Sequence, residues 1–232
     1  IYFSRKFDDA QTDEYKSYLI KKFKTDSSSS VRVAIVNTIY NIWRDDSSLI
    51  SFYKKASLDS SVNVKLNALE IINIIAREDA LLLANEFEKE TDPRIISHLA
   101  RMYSSIKDES KSKWFNWAIK QVEYRDKSYV ISRYLKYLLE KDNEFVWKAS
   151  KKLEEEAIYE NNKKVRYTST IAIQKLRERN ILRIDDIRKD IVDKKEASRG
   201  KSYDLKLLEE KYQELLNHDK RMKELIKKIY DL

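Results

Sequence analysis

In 232 residues the chain holds one glycine, Gly200, one proline, Pro93, two histidines and no cysteine. Average usage gives roughly 16 glycines and 12 prolines at this length, from about 7% and 5%. Tight hairpins, phosphate-cradling loops and dinucleotide-binding turns need glycine, because only glycine takes positive φ without penalty. Their scarcity excludes an ordinary β-sandwich, a Rossmann enzyme and a P-loop enzyme. Without cysteine there are no disulfides, no thiolate catalysis and no cysteine-held zinc or iron–sulfur centre. No apolar run approaches the ~18 residues that span a bilayer, so no membrane partner is expected. The chain starts at Ile1 with no signal-like segment after it. It is expected to be an excised or processed piece, soluble, and either cytoplasmic or periplasmic, with the compartment left open.

What remains is helix after helix joined by short polar turns. The chain is 42% hydrophobic, enough for a sizeable core, and 37% charged, against an ordinary ~25%. Charged residues are good helix formers, and the excess is expected on solvated helix faces. The net charge of +8 is uneven, at −1 over residues 1–90, +2 over 91–160 and +7 over 161–232. A basic C-terminal third suits an anionic partner, yet acids are interleaved with the bases, so nucleic acid is not expected as a partner.

Asp26, Asp59, Asp92, Asp126 and Glu160 stand 33, 33, 34 and 34 residues apart. Six positions after the acid lie Arg32, Lys65, His98, Ser132 and Arg166, and the third and fourth repeats are degenerate. Each acid suits a helix start, where it accepts from the free N–H groups of the first turn and faces the positive end of the helix dipole. Pro93 fits the first helical position, where its missing N–H costs nothing. The helices that follow show a 3.6-residue apolar period. Val31, Ala34, Ile35, Ile39 and Ile42 form one face; Val64, Ala68, Ile71, Ile72 and Ile75 a second; Val165, Ala172, Ile173 and Leu176 the fifth. Small residues at Ala34, Ala68 and Ala100 predict close helix approaches. Larger apolar residues mark the preceding helices, among them Leu19, Phe52, Phe87, Phe115 and Phe145. Two amphipathic helices per repeat predict an all-α solenoid of antiparallel helix pairs, an α–α superhelix. About five repeats are expected over residues 1–182. Residues 183–232 are expected as capping helices of the same single domain, with a break at 198–202 around Gly200.

The acid followed six places later by Arg or Lys, as Asp26 by Arg32 and Asp59 by Lys65, resembles the HEAT repeat signature. The period is shorter than the usual ~40–47 of HEAT and armadillo units. Over residues 14–177 a further ordered series includes Ala68-Leu69, Glu78-Asp79-Ala80, Leu83-Ala84, Leu99-Ala100-Arg101-Met102-Tyr103 and Trp114-Phe115. It resembles the C-terminal HEAT-like helical region of zinc aminopeptidases of the aminopeptidase N type, a gluzincin family. That resemblance implies a non-catalytic domain that caps an active-site chamber and controls peptide access. Its partners would be an upstream catalytic domain of the same protein and, indirectly, a peptide substrate. The family's His-Glu-x-x-His and its glycine-containing amine-gripping segment are missing from this chain. Any zinc would therefore belong to the absent catalytic domain, and no cofactor is expected here.

No catalytic or metal-ligating residue stands out. His98 and His218 lie 120 residues apart, without further ligands at helical spacing. Acidic pairs such as Asp45-Asp46 and Asp185-Asp186 read as solvated helix starts and faces. Trp114 and Trp117, three apart on one helix, with Tyr134 and Tyr137, form a candidate binding surface, because Trp and Tyr anchor hot spots. The favoured reading is core between repeats for the two tryptophans and helix–helix seams for the two tyrosines. Two readings of the whole chain stand beside the aminopeptidase one, a stand-alone HEAT-like protein-interaction scaffold and a basic HEAT-like DNA-binding or alkylation-repair protein.

Overall fold

The computed structural model describes residues 9–198 and 203–231, and among these there are twelve α-helices and no strand. The all-helical class read from the missing glycines and prolines is what the chain adopts. The chain divides into two compact units, Ile1–Leu99 and Ala100–Leu232, where a single domain was expected.

The first unit holds α1 (Asp9–Thr25), α2 (Ser29–Trp43), a 3-10 turn (Ser47–Leu49) leading into α3 (Ile50–Ala56), α4 (Val62–Ile75), α5 (Arg77–Glu86) and the start of α6 (Pro93–Tyr103). Pro93 opens α6, as its fixed φ and absent N–H favour. α4 is the centre of this unit, packing on α2, α3 and α5. Its Val64, Ala68, Leu69 and Ile72 are fully buried, as are Val36 and Ile39 of α2 and Tyr53 of α3. Ala68 lies in the core as expected, but Ala34 and Val31 are exposed. The buried face of α2 is Ile35, Val36 and Ile39 instead, turned by one residue from the face predicted.

The second unit holds the end of α6, then α7 (Lys111–Gln121), α8 (Tyr124–Leu139), α9 (Asn143–Ala149), α10 (Lys151–Tyr159), α11 (Lys163–Ser198) and α12 (Tyr203–Tyr230). α11 is central here, packing on α8, α10 and α12. The boundary expected at residue 182 falls inside α11. No glycine or proline interrupts residues 163–198, so nothing stops the helix there. The break expected around Gly200 lies outside the described residues. α12 runs antiparallel to α11, as the pairs Lys195 with Glu209 and Arg177 with Asp219 require. Their far halves share a seam of Ile184, Ile187, Ile191, Leu205 and Leu215.

Helix ends in this unit, and the loop after α6, are closed by long side chains. A helix leaves its last carbonyls without partners, and glycine-based C-caps are the usual remedy. Here the Tyr134 hydroxyl donates to the carbonyl of Ala149, the last residue of α9, at 2.7 Å. The buried Lys141 ammonium donates to the carbonyls of Ile106 and Lys107 at 3.0 and 2.5 Å, and sits 4.6 Å from the centroid of the Tyr137 ring. Burial pushes its pKa below the ordinary lysine range. The Arg179 guanidinium from α11 reaches the carbonyls of Leu138 and Lys141 at the end of α8. Replacing Lys141 with Met keeps the apolar stem and leaves two carbonyls without their donor. It is expected to destabilise the chain by about 1–3 kcal/mol, read by urea denaturation. An unchanged midpoint would mean that water satisfies those carbonyls instead.

Candidate functional site

The ladder acids build turns before they build pairs. Asp26, Asp59 and Asp92 each accept from the backbone N–H two residues on, at 2.9, 2.8 and 2.9 Å, and Glu160 does the same with Asn162 at 3.1 Å. This folds the loop so that the following residue becomes the cap. Ser28 accepts from the Val31 N–H, and Asn162 from those of Lys164 and Val165. Only Asp92 stands directly before its helix. Asp126 lies inside the first turn of α8, where its charge faces the positive end of the dipole. The expectation that every rung is itself the cap is therefore corrected.

Cations from one repeat then reach acids of the next. Arg32 grips Asp59 with two hydrogen bonds of 2.8 Å, both side chains nearly buried. Its other nitrogen donates to the carbonyls of Asp26 and Ser27, so one guanidinium ties two successive helix starts together. Lys65 pairs with Glu90 at 2.8 Å, two residues short of Asp92, whose own carboxylate is taken by Arg94. On the opposite ends of the helix pairs, Lys16 meets Asp46 and Lys54 meets Asp79. In the second unit Lys127 pairs with Glu160 at 2.6 Å. Arg166, aligned with Arg32, makes no ion pair among the described residues, and His98 is buried in α6. Arg32 and Lys65, each six places after a ladder acid, both pair onward. Further on, the sign is kept and the position moves.

The aromatic candidates lie inside. Trp114, Tyr134 and Tyr137 are buried and Trp117 is half-buried, so the four do not form a surface. Phe115 stacks on Tyr134 at 4.8 Å, and Tyr103 meets Trp114 edge-on at 5.0 Å. Burial pushes the Tyr134 and Tyr137 hydroxyls well above their ordinary pKa, and both are donors, to Ala149 and to Asp108. His218 stacks flat on Trp147, centroids 4.5 Å apart, and its burial lowers its pKa. Among the described residues no group of three or more histidine and acid side chains is placed to hold a metal ion, and no helix is long and apolar enough to cross a membrane.

One surface groove stands out by charge. Between α8 and α11 a cleft of about 400 Å³ has a floor of Leu135, Leu139, Ile171 and Ala172. Lys136 lines it from α8, Lys175 and Tyr167 from α11, and no carboxylate takes part in the lining. Neither lysine makes an ion pair among the described residues, and Tyr167 is 67% exposed. Arg133 lies beside this groove on α8, stacked over the Tyr129 ring at 4.7 Å. The signal was present in the sequence. Residues 127–139 and 161–177 carry eight bases and no acid, in a chain with 39 acids.

No family profile matches the chain. No curated protein shows significant similarity to it.

Two outcomes test the ladder. Asp59→Ala is expected to cost about 1–2 kcal/mol in urea denaturation, through the loss of the turn and of the Arg32 pair. Arg32→Ala should then cost less in that variant than in the parent chain, the difference being the Asp59 pair and the remainder the bonds to the Asp26 and Ser27 carbonyls. In acid, Lys127 and the Asn162 N–H hold the Glu160 carboxyl at about 2, against an ordinary 4.5. A lowered folded-state pKa gives stability that is complete above pH 4.5 and lost as pH falls toward 2. Glu160→Gln should flatten that part of the stability profile, read by thermal melts across the acid range.

Proposed function

We propose that the chain is a non-catalytic α-solenoid of HEAT-like helix pairs whose work is to dock another protein. The observation that carries this is the ionic ladder from repeat to repeat, headed by the bidentate Arg32–Asp59 pair. Cross-repeat ties of this kind serve neighbour-on-neighbour stacking, in which each pair of helices buries its face only against the next. The packing of α2 on α4, and of α8 on α11, supports the same arrangement, since these helices follow successive rungs. Stacked repeats of this sort offer long side-chain surfaces and no enclosed chamber, which suits recognition better than chemistry.

The aminopeptidase resemblance is one case of this reading. There the docked surface would be the catalytic domain of the same protein, and the helical array would shape peptide entry without touching the zinc. A DNA-binding role draws less support, because acids are interleaved with the bases of the basic C-terminal third. The test is enzymatic. Residues 1–232 are expected to show no turnover of aminoacyl amides, with or without added zinc. Turnover that a chelator abolishes and zinc restores would overturn a non-catalytic role.

A further inference from the structure

We infer that the groove between α8 and α11 docks an acidic peptide segment carrying an aliphatic anchor residue. This rests on the scaffold reading and names the class of partner. The floor is aliphatic, formed by Leu135, Leu139, Ile171 and Ala172, and its volume of about 400 Å³ lies at the low end of ligand pockets, about 300–1,000 Å³. It suits branched aliphatic side chains and is too small for a packed helix pair. Lys136 and Lys175 come from the two helices that form the groove, and no carboxylate lines it.

Several cations of this unit meet acids. Lys127 has Glu156 and Glu160, Lys152 has Glu155 and Glu156, Arg177 has Asp219 and Arg221 has Glu154. Lys136, Lys175 and, beyond the groove, Lys164 have none among the described residues. Unmatched charge of one sign around an apolar floor is complementary to an anionic chain with an apolar anchor, and it steers such a chain inward. Single-stranded nucleic acid fits the same charge less well. Its bases stack on a run of exposed aromatic faces, whereas this groove offers one, Tyr167; Tyr134 and Tyr137 are internal and Arg133 lies over the Tyr129 ring.

The test uses the whole chain and fluorescence anisotropy with three labelled probes: a short peptide alternating glutamate with leucine, its lysine-for-glutamate counterpart, and oligothymidine. Saturable binding of the acidic peptide alone is expected. Lys136→Glu with Lys175→Glu should weaken it by about tenfold or more, with an unchanged melting temperature. Lys113→Glu with Lys120→Glu, the same charge change on exposed positions of α7, should leave binding within about twofold. Should the groove pair melt early, Lys175→Gln alone is read instead and should weaken binding in the same direction. Absence of saturable binding, or equal loss in both pairs, would overturn the groove assignment and leave the scaffold reading intact. Tighter binding of oligothymidine, lost with the groove pair, would make the groove a nucleic-acid site and overturn the peptide assignment. Cleavage of the bound peptide would overturn the scaffold reading and keep the groove.

Discussion

Each helix ends with amides and carbonyls that have no partner along its own axis. A chain of a dozen helices multiplies that problem. With a single glycine and a single proline it cannot use the usual backbone solutions. Side chains close the ends instead. At the starts, carboxylates bend the preceding loop through the N–H two residues on, and Ser28 or Asn162 finishes the cap. At the finishes, Tyr134 and Arg179 reach across from neighbouring helices to free carbonyls, and Lys141 does the same for the loop after α6. A cap supplied by a neighbour is also a tertiary contact, so secondary structure and packing form together in this chain.

That coupling decides how much could be read in advance. Pro93 at a helix start, the acidic turns, and the buried faces of α4 and α11 follow from local rules of capping and period, and they were legible. The aromatic residues were legible in part, as interior residues more readily than as a surface. Tyr134 and Tyr137 sit among cations in the sequence, which suits a binding face as well as a core. Only the carbonyls of Ala149 and Asp108, far along the chain, make their hydroxyls interior donors. The start of the cap was misplaced for a related reason. The apolar faces change partner near residue 182 while the helix itself continues, and periodicity reports partners as readily as it reports ends.

The groove between α8 and α11 lies off the ladder, which is marked by where acids recur. The informative feature was where they stop. In a chain this rich in both signs, a solvated face usually carries each beside the other, as Lys152 does with Glu155 and Glu156. In the acid-free stretches of α8 and α11, Lys127 and Arg177 find acids on neighbouring elements, while Lys136 and Lys175 at the groove find none among the described residues. Their mutual repulsion offers folding little, and the proposed acidic peptide would supply the missing counter-charge.

The length of α11 has a mechanical meaning. At 36 residues and about 1.5 Å of rise per residue, it is a rod of about 54 Å. Its first half walls the groove against α8, and its second half forms the seam with α12. An unbroken helix bends little, so the two halves move as one lever. A tilt of about five degrees at the groove would carry the far end by about 5 Å at this length. Occupancy at one end would then register as displacement at the other, with no hinge between them to absorb it.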